Sequence, residues 1–157
     1  MLIIADSSAL ISLAICDGLC LLDQLFDEVK VPFEVFEEIN IKGKPAANIL
    51  KNYLINKVIS VDITKFVIAT SGLGQGELAA MALYKHLQAD YLLIDDKRAR
   101  KIAQLNHINI TGSQGILLLA KQAGLINNIS VFIDKLRNSD IYISERLIQK
   151  TLQLAGE

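Results

Sequence analysis

Four short apolar runs, LIIA (2–5), VKV (29–31), YLLI (91–94) and INI (108–110), are spaced along the chain with helical periodicity between them. Strand-length runs alternating with helical stretches predict an α/β fold, with a mostly parallel central sheet covered by helices. Helical spacing is expected at Ser8–Ala14, Leu19–Phe26, Phe33–Ile39, Ala46–Asn56 and Gly76–Gln88. It recurs at Lys97–Leu105, Gln114–Gln122, Ile129–Leu136 and Ser144–Ala155. VISVDI (58–63) alternates apolar and polar residues, the pattern of an edge strand or of an excursion from the sheet. The only prolines, Pro32 and Pro45, sit at element boundaries, and no repeat or low-complexity tract interrupts the pattern.

At 157 residues the chain has the length of a single domain with a proper core. We expect one domain over 1–157, in which 126–157 forms a helical C-terminal extension. Hydrophobic residues make up 52% and charged residues 21%, which excludes a disordered chain. No apolar run approaches the roughly 18 residues that span a bilayer. MLIIAD has no basic region and meets Asp6 too early for a signal peptide, so the expected compartment is the cytoplasm. A net charge of −1 argues against a general DNA-binding surface and leaves room for a local basic patch. Cys16 and Cys20 read as small buried thiols, and no further pair completes a zinc set. His86 and His107 lie outside any triad-like arrangement, which disfavours Ser-His-Asp or Cys-His hydrolysis.

The chemistry is concentrated in acids. LLIDDKRAR (92–100) ends a core strand on Asp95 and Asp96, then opens a helix with Lys97, Arg98, Arg100 and Lys101. The helix dipole disfavours positive charge at that end. Asp6 ends the first strand in the same way. In parallel sheets ligands bind outside the carboxyl ends of the strands, so Asp6, Asp95 and Asp96 are expected in one crevice. Glu77 follows GLGQG at the start of a helix, and Glu38 lies in PFEVFEEI. Carboxylates gathered this closely resist joint ionisation. A hard cation, Mg²⁺ or Mn²⁺, relieves the conflict and would suit phosphodiester hydrolysis. Asp95 and Asp96 would then be held together by the metal. The cations after them would face an incoming polyanion, or Arg100 would turn inward to a site carboxylate.

Taken singly, each acid has a local explanation. Asp6 and Asp96 fit helix N-caps, Glu77 fits the dipole of its first turn, and Glu37 or Glu38 fits a solvated face, since only one can share the direction of Glu34. Three rivals follow. GLGQGE after the apolar FVIA (66–69) begins like a dinucleotide-binding loop, but Glu77 stands where the third glycine belongs. A HAD-like phosphatase or phosphoacceptor would use Asp6, with Ser8 where a second acid is usual. A catalytically silent binding module would keep the fold alone.

Taken together, IIADSSALISLA, VPFEVFEEI, GLGQGELAAMALY, ADYLLIDDKRARKIA and INITGSQGILLLAKQAGLI match in order and spacing from residue 2 to about residue 126. IYISERLIQKTL matches a closing helix. In these segments the chain resembles the PIN-domain family of metal-dependent nucleases, in particular the prokaryotic branch of VapC-like toxins. The resemblance implies a three-layer α/β/α fold and metal ligation by Asp6, Glu77 and Asp96 together with Asp95. It implies Glu38 as the second acid, with Glu37 as the register alternative. Ile94 replaces the Thr of the Thr-x-Asp motif, which leaves the division of labour between Asp95 and Asp96 open. Ser7 or Ser8, and more weakly Ser113, match the hydroxyl that holds a water or caps a helix. The implied activity is Mg²⁺- or Mn²⁺-dependent cleavage of RNA, with Lys97, Arg98, Arg100 and Lys101 on the substrate. The implied setting is a toxin–antitoxin pair with a small antitoxin protein and a homodimeric toxin.

Overall fold

LIIA forms β1 (Leu2–Ala5), whose Ile3, Ile4 and Ala5 are fully buried. A computed structural model describes residues 1–66 and 72–157. β1 pairs in parallel with β2 (Glu28–Pro32) on one side and with β4 (Tyr91–Leu93) on the other. β3 (Val58–Ile59) adds to β2 and β5 (Ile110–Thr111) to β4, giving the order β3-β2-β1-β4-β5 with every pair parallel. The two central strands are apolar on both faces because helices cover both. Burying Ile3, Ile4, Leu92 and Leu93 contributes about 2 kcal/mol each against leaving them in water. The expected α/β/α architecture with a central parallel sheet is the one observed.

The helices are α1 (Ser7–Ile15), α2 (Cys20–Leu25), α3 (Phe33–Ile39), α4 (Ala47–Leu54), α5 (Gln75–Leu87), α6 (Lys97–Leu105), α7 (Ser113–Gln122), α8 (Ser130–Arg137) and α9 (Glu145–Ala155). Among the described residues none is long and apolar enough to cross a membrane. α9 packs on α7 and α8 on α1. The Glu157 carboxylate fastens this end by accepting from Ile129 N at 2.7 Å, Ser130 Oγ at 2.9 Å and Lys121 Nζ at 3.0 Å.

Two expectations change, and the edge strand expected in VISVDI is shorter than its pattern. INI was expected as a strand over 108–110, but pairing covers Ile110–Thr111. Ile108 instead closes α6: His107 is left-handed (φ 58°), and Ile108 N donates to Ala103 O at 3.0 Å, the hydrogen bond of a Schellman cap. VISVDI pairs only through Val58 and Ile59, at the sheet edge, before a 3-10 turn at Ile63–Lys65. Of the two thiols expected to be buried, only Cys16 is; Cys20 starts α2 and is exposed. Within FVIA, residues 67–69 lie outside the described residues.

Candidate active site

The strand order reverses direction at β1: the chain moves outward through β2 and β3, then returns to place β4 on the other side. The carboxyl ends of β1 and β4 therefore flank a switch point, where a parallel sheet opens a crevice. Asp6 stands there. Its backbone stays in the sheet, donating from Asp6 N to Leu93 O at 2.9 Å, while its side chain caps α1. Oδ2 accepts from Ser8 Oγ at 2.8 Å and from Ser8 N at 3.3 Å. Ser8 Oγ in turn accepts from Asp95 N at 3.1 Å, so one hydroxyl ties the two strand ends together. Asp6 is 1% exposed, and its Oδ1 is buried with no hydrogen-bond partner among the described residues. Burial pushes its carboxyl up to about 6, helped by the charge of Glu77 and opposed by the Ser8 hydrogen bonds.

Asp95 and Asp96 part company. Asp95 Oδ1 accepts from Ser113 N at 2.7 Å and Oδ2 from Ser113 Oγ at 2.7 Å, so Asp95 serves the N-terminus of α7. Asp96 Oδ1 accepts from Ala99 N at 2.8 Å and caps α6, supplying negative charge where Lys97 and Arg98 would otherwise meet the dipole alone. The expectation that both acids share one ion gives way to this geometry: neighbouring residues at a strand end face different helices. Asp96 lines the crevice and Asp95 does not. Ser113 goes with Asp95, away from the crevice.

The other walls come from α3 and α5. Glu38 and Glu77 both line the cavity, of about 450 Å³, that also takes in Asp6, Ser7, Ser8 and Asp96. Glu77 Oε2 accepts from Gly74 N at 3.0 Å, which caps α5. Gly76 lets α5 approach α3: a Cβ there would sit 2.6 Å from Glu38 Oε2 and 3.4 Å from Val35 Cγ2. Glu37 is exposed and stands outside the cavity. Glu34 does line it, and its Oε2 is buried without a partner among the described residues. Sequence reading passed Glu34 over, although its four-residue spacing from Glu38 puts the two on one helix face.

Among the described residues no Lys, Arg or His lines this cavity. Lys97, Arg98 and Lys101 are exposed on α6. Arg100 has turned inward, but to a carbonyl: Nη1 donates to Ile94 O at 2.8 Å. A second cavity, of about 330 Å³, lies between α8 and α9; its Arg137 already pairs with Glu145 at 2.7 Å. The dinucleotide alternative fails here, since the Gly74 N–H is taken by Glu77 and carboxylates occupy the space a pyrophosphate would need.

Among the described residues no three acidic, His or Cys side chains are drawn together tightly enough to ligate an ion ready-made. The donor set still suits a hard cation. It is all carboxylate, two of its oxygens are buried and unpartnered, and Mg²⁺ commonly binds one or two carboxylates directly and keeps several waters. A family model described as DUF3368: PIN domain matches residues 2–157. No curated protein and no solved structure gave a match.

Proposed function

The chain belongs to the PIN-domain family, a nuclease fold, and from that premise we propose a metal-dependent endoribonuclease whose carboxylate pocket holds Mg²⁺ or Mn²⁺. The observation that carries this reading is Asp6, which lines a cavity with four further acids and keeps a buried oxygen, Oδ1, that has no partner among the described residues, none of whose basic side chains lines the cavity. Such a group is costly to keep charged unless something positive joins it.

In this reading Asp6, Glu77 and Asp96 hold the cation, with Glu38 completing the wall. When bound, the cation supplies a more acidic water and neutralises charge developing on the phosphate. The rest falls to the chain's own groups. Ser8 holds Asp6 by donating to Oδ2, which leaves Oδ1 uncommitted. Gly76 lets α5 seat against Glu38. Lys97, Arg98 and Lys101, in the first two turns of the helix that Asp96 caps, hold the phosphates of the RNA chain; Arg100 supports the end of β4 instead. Asp95 and Ser113 position β4 and α7. The order of motifs along the chain supports a VapC-like toxin, with a small antitoxin protein and a homodimer as partners.

The purified protein is expected to cleave single-stranded RNA with Mg²⁺ or Mn²⁺, and both EDTA and Asp6→Asn should stop it. Cleavage that survives both treatments would assign the activity to another mechanism or to a contaminant. RNA binding without turnover would instead favour the silent binding module.

A further inference from the structure

We infer that Glu34 belongs to the cation site as a fifth carboxylate, holding the ion from the α3 wall. This role presupposes the cation site proposed above and adds a residue that the motif order does not pick out.

Glu34 opens the first turn of α3, where the helix dipole favours its charge. The dipole does not hydrogen-bond the side chain, however, and Oε2 is buried with no partner among the described residues. Leaving such an oxygen unsatisfied is unfavourable, more so when it is charged. Glu38 lies one turn further on, and like charges four residues apart on a helix repel. Across the same cavity Asp6, 1% exposed, presents the other buried and unpartnered carboxylate oxygen. Two acids that each carry a buried, unpartnered oxygen therefore line one cavity from different elements, α3 and the end of β1, and among the described residues no basic side chain lines it. A divalent cation satisfies both, directly or through its waters. Glu37 is an internal control: it shares the helix but is exposed and does not line the cavity.

The test is Mn²⁺ titration of the full chain by calorimetry and by electron paramagnetic resonance, with thermal unfolding in EDTA alongside. Glu34→Gln should weaken Mn²⁺ binding about tenfold and raise the metal-free melting temperature, because it removes one of the like charges around the cavity. Glu34→Asp keeps the charge and shortens the arm; it should weaken binding without that gain, which separates ligation from folding. Glu37→Gln should leave Mn²⁺ affinity unchanged. Unchanged affinity in both Glu34 variants, with binding lost in Asp6→Asn, would overturn the role of Glu34 and leave the cation site standing. Absence of Mn²⁺ binding by the wild-type chain would overturn both.

Discussion

Asp6 divides its work between two oxygens. Oδ2 caps α1 through Ser8, and Oδ1 is left buried and without a partner among the described residues, at the wall of the acidic cavity. The local reading of Asp6 and Asp96 as N-caps is therefore correct and yet does not exhaust them, because a cap uses one oxygen of a carboxylate. Without metal, the raised Asp6 group makes a definite pH prediction. Its value in the fold, about 6, lies above the ordinary carboxylate range. The advantage of the protonated form is fully present below the unfolded value and is lost as pH rises through 6. In EDTA, Asp6→Asn should therefore gain stability over wild type between pH 4 and 7, by on the order of 3 kcal/mol. Glu157, whose hydrogen bonds from Ile129, Lys121 and Ser130 outweigh its burial, sits at about 2, so its contribution is lost only at lower pH. Urea unfolding at both ends of the window checks this, and a gap that does not change with pH would refute it. The adjacent acids should separate as well. Asp96→Asn retains a good N-cap and should cost little stability but about a hundredfold in cleavage rate. Asp95→Asn weakens both bonds to buried Ser113 and should cost about 1–3 kcal/mol, with cleavage by the folded fraction kept. Paired cleavage and unfolding measurements would expose an exchange of these effects.

At the scale of elements, α3 and α5 decide whether the acids meet. Gly76 sits inside α5, where alanine would favour the helix by about 1 kcal/mol. Yet a Cβ there would press on Glu38 Oε2. Gly76→Ala is expected to keep or raise the melting temperature while cutting cleavage about tenfold or more; parallel loss of both would mean that Gly76 serves folding. Strand and helix positions were readable because buried strands are short apolar runs and helices keep their period. α3 and α6 were read to the residue, since Pro32 and Asp96 mark their starts. INI misled because apolar Ile108 serves the α6 cap, and composition alone does not distinguish a cap contact from a strand residue. Glu34 was missed for a different reason. Its meaning depends on how α3 packs against α5, and a stretch such as PFEVFEEI shows spacing but not which wall faces a cavity.

The whole molecule sets a negative pocket beside a cationic helix start, within a chain of net charge −1. The parallel order with its reversal at β1 brings residues 6 and 96 to one crevice, and sequence reading could anticipate this because parallel sheets gather strand ends. That Asp95 faces away was beyond it, since two adjacent acids look alike until the helices they cap are in place. The central claim is that these carboxylates share a space favourable to a divalent cation. The most direct test is the melting temperature with and without Mg²⁺ or Mn²⁺, for wild type and Asp6→Asn. Either metal should raise the wild-type value and leave the variant where it was. No shift in wild type with either metal, or an equal shift in both proteins, would contradict the account.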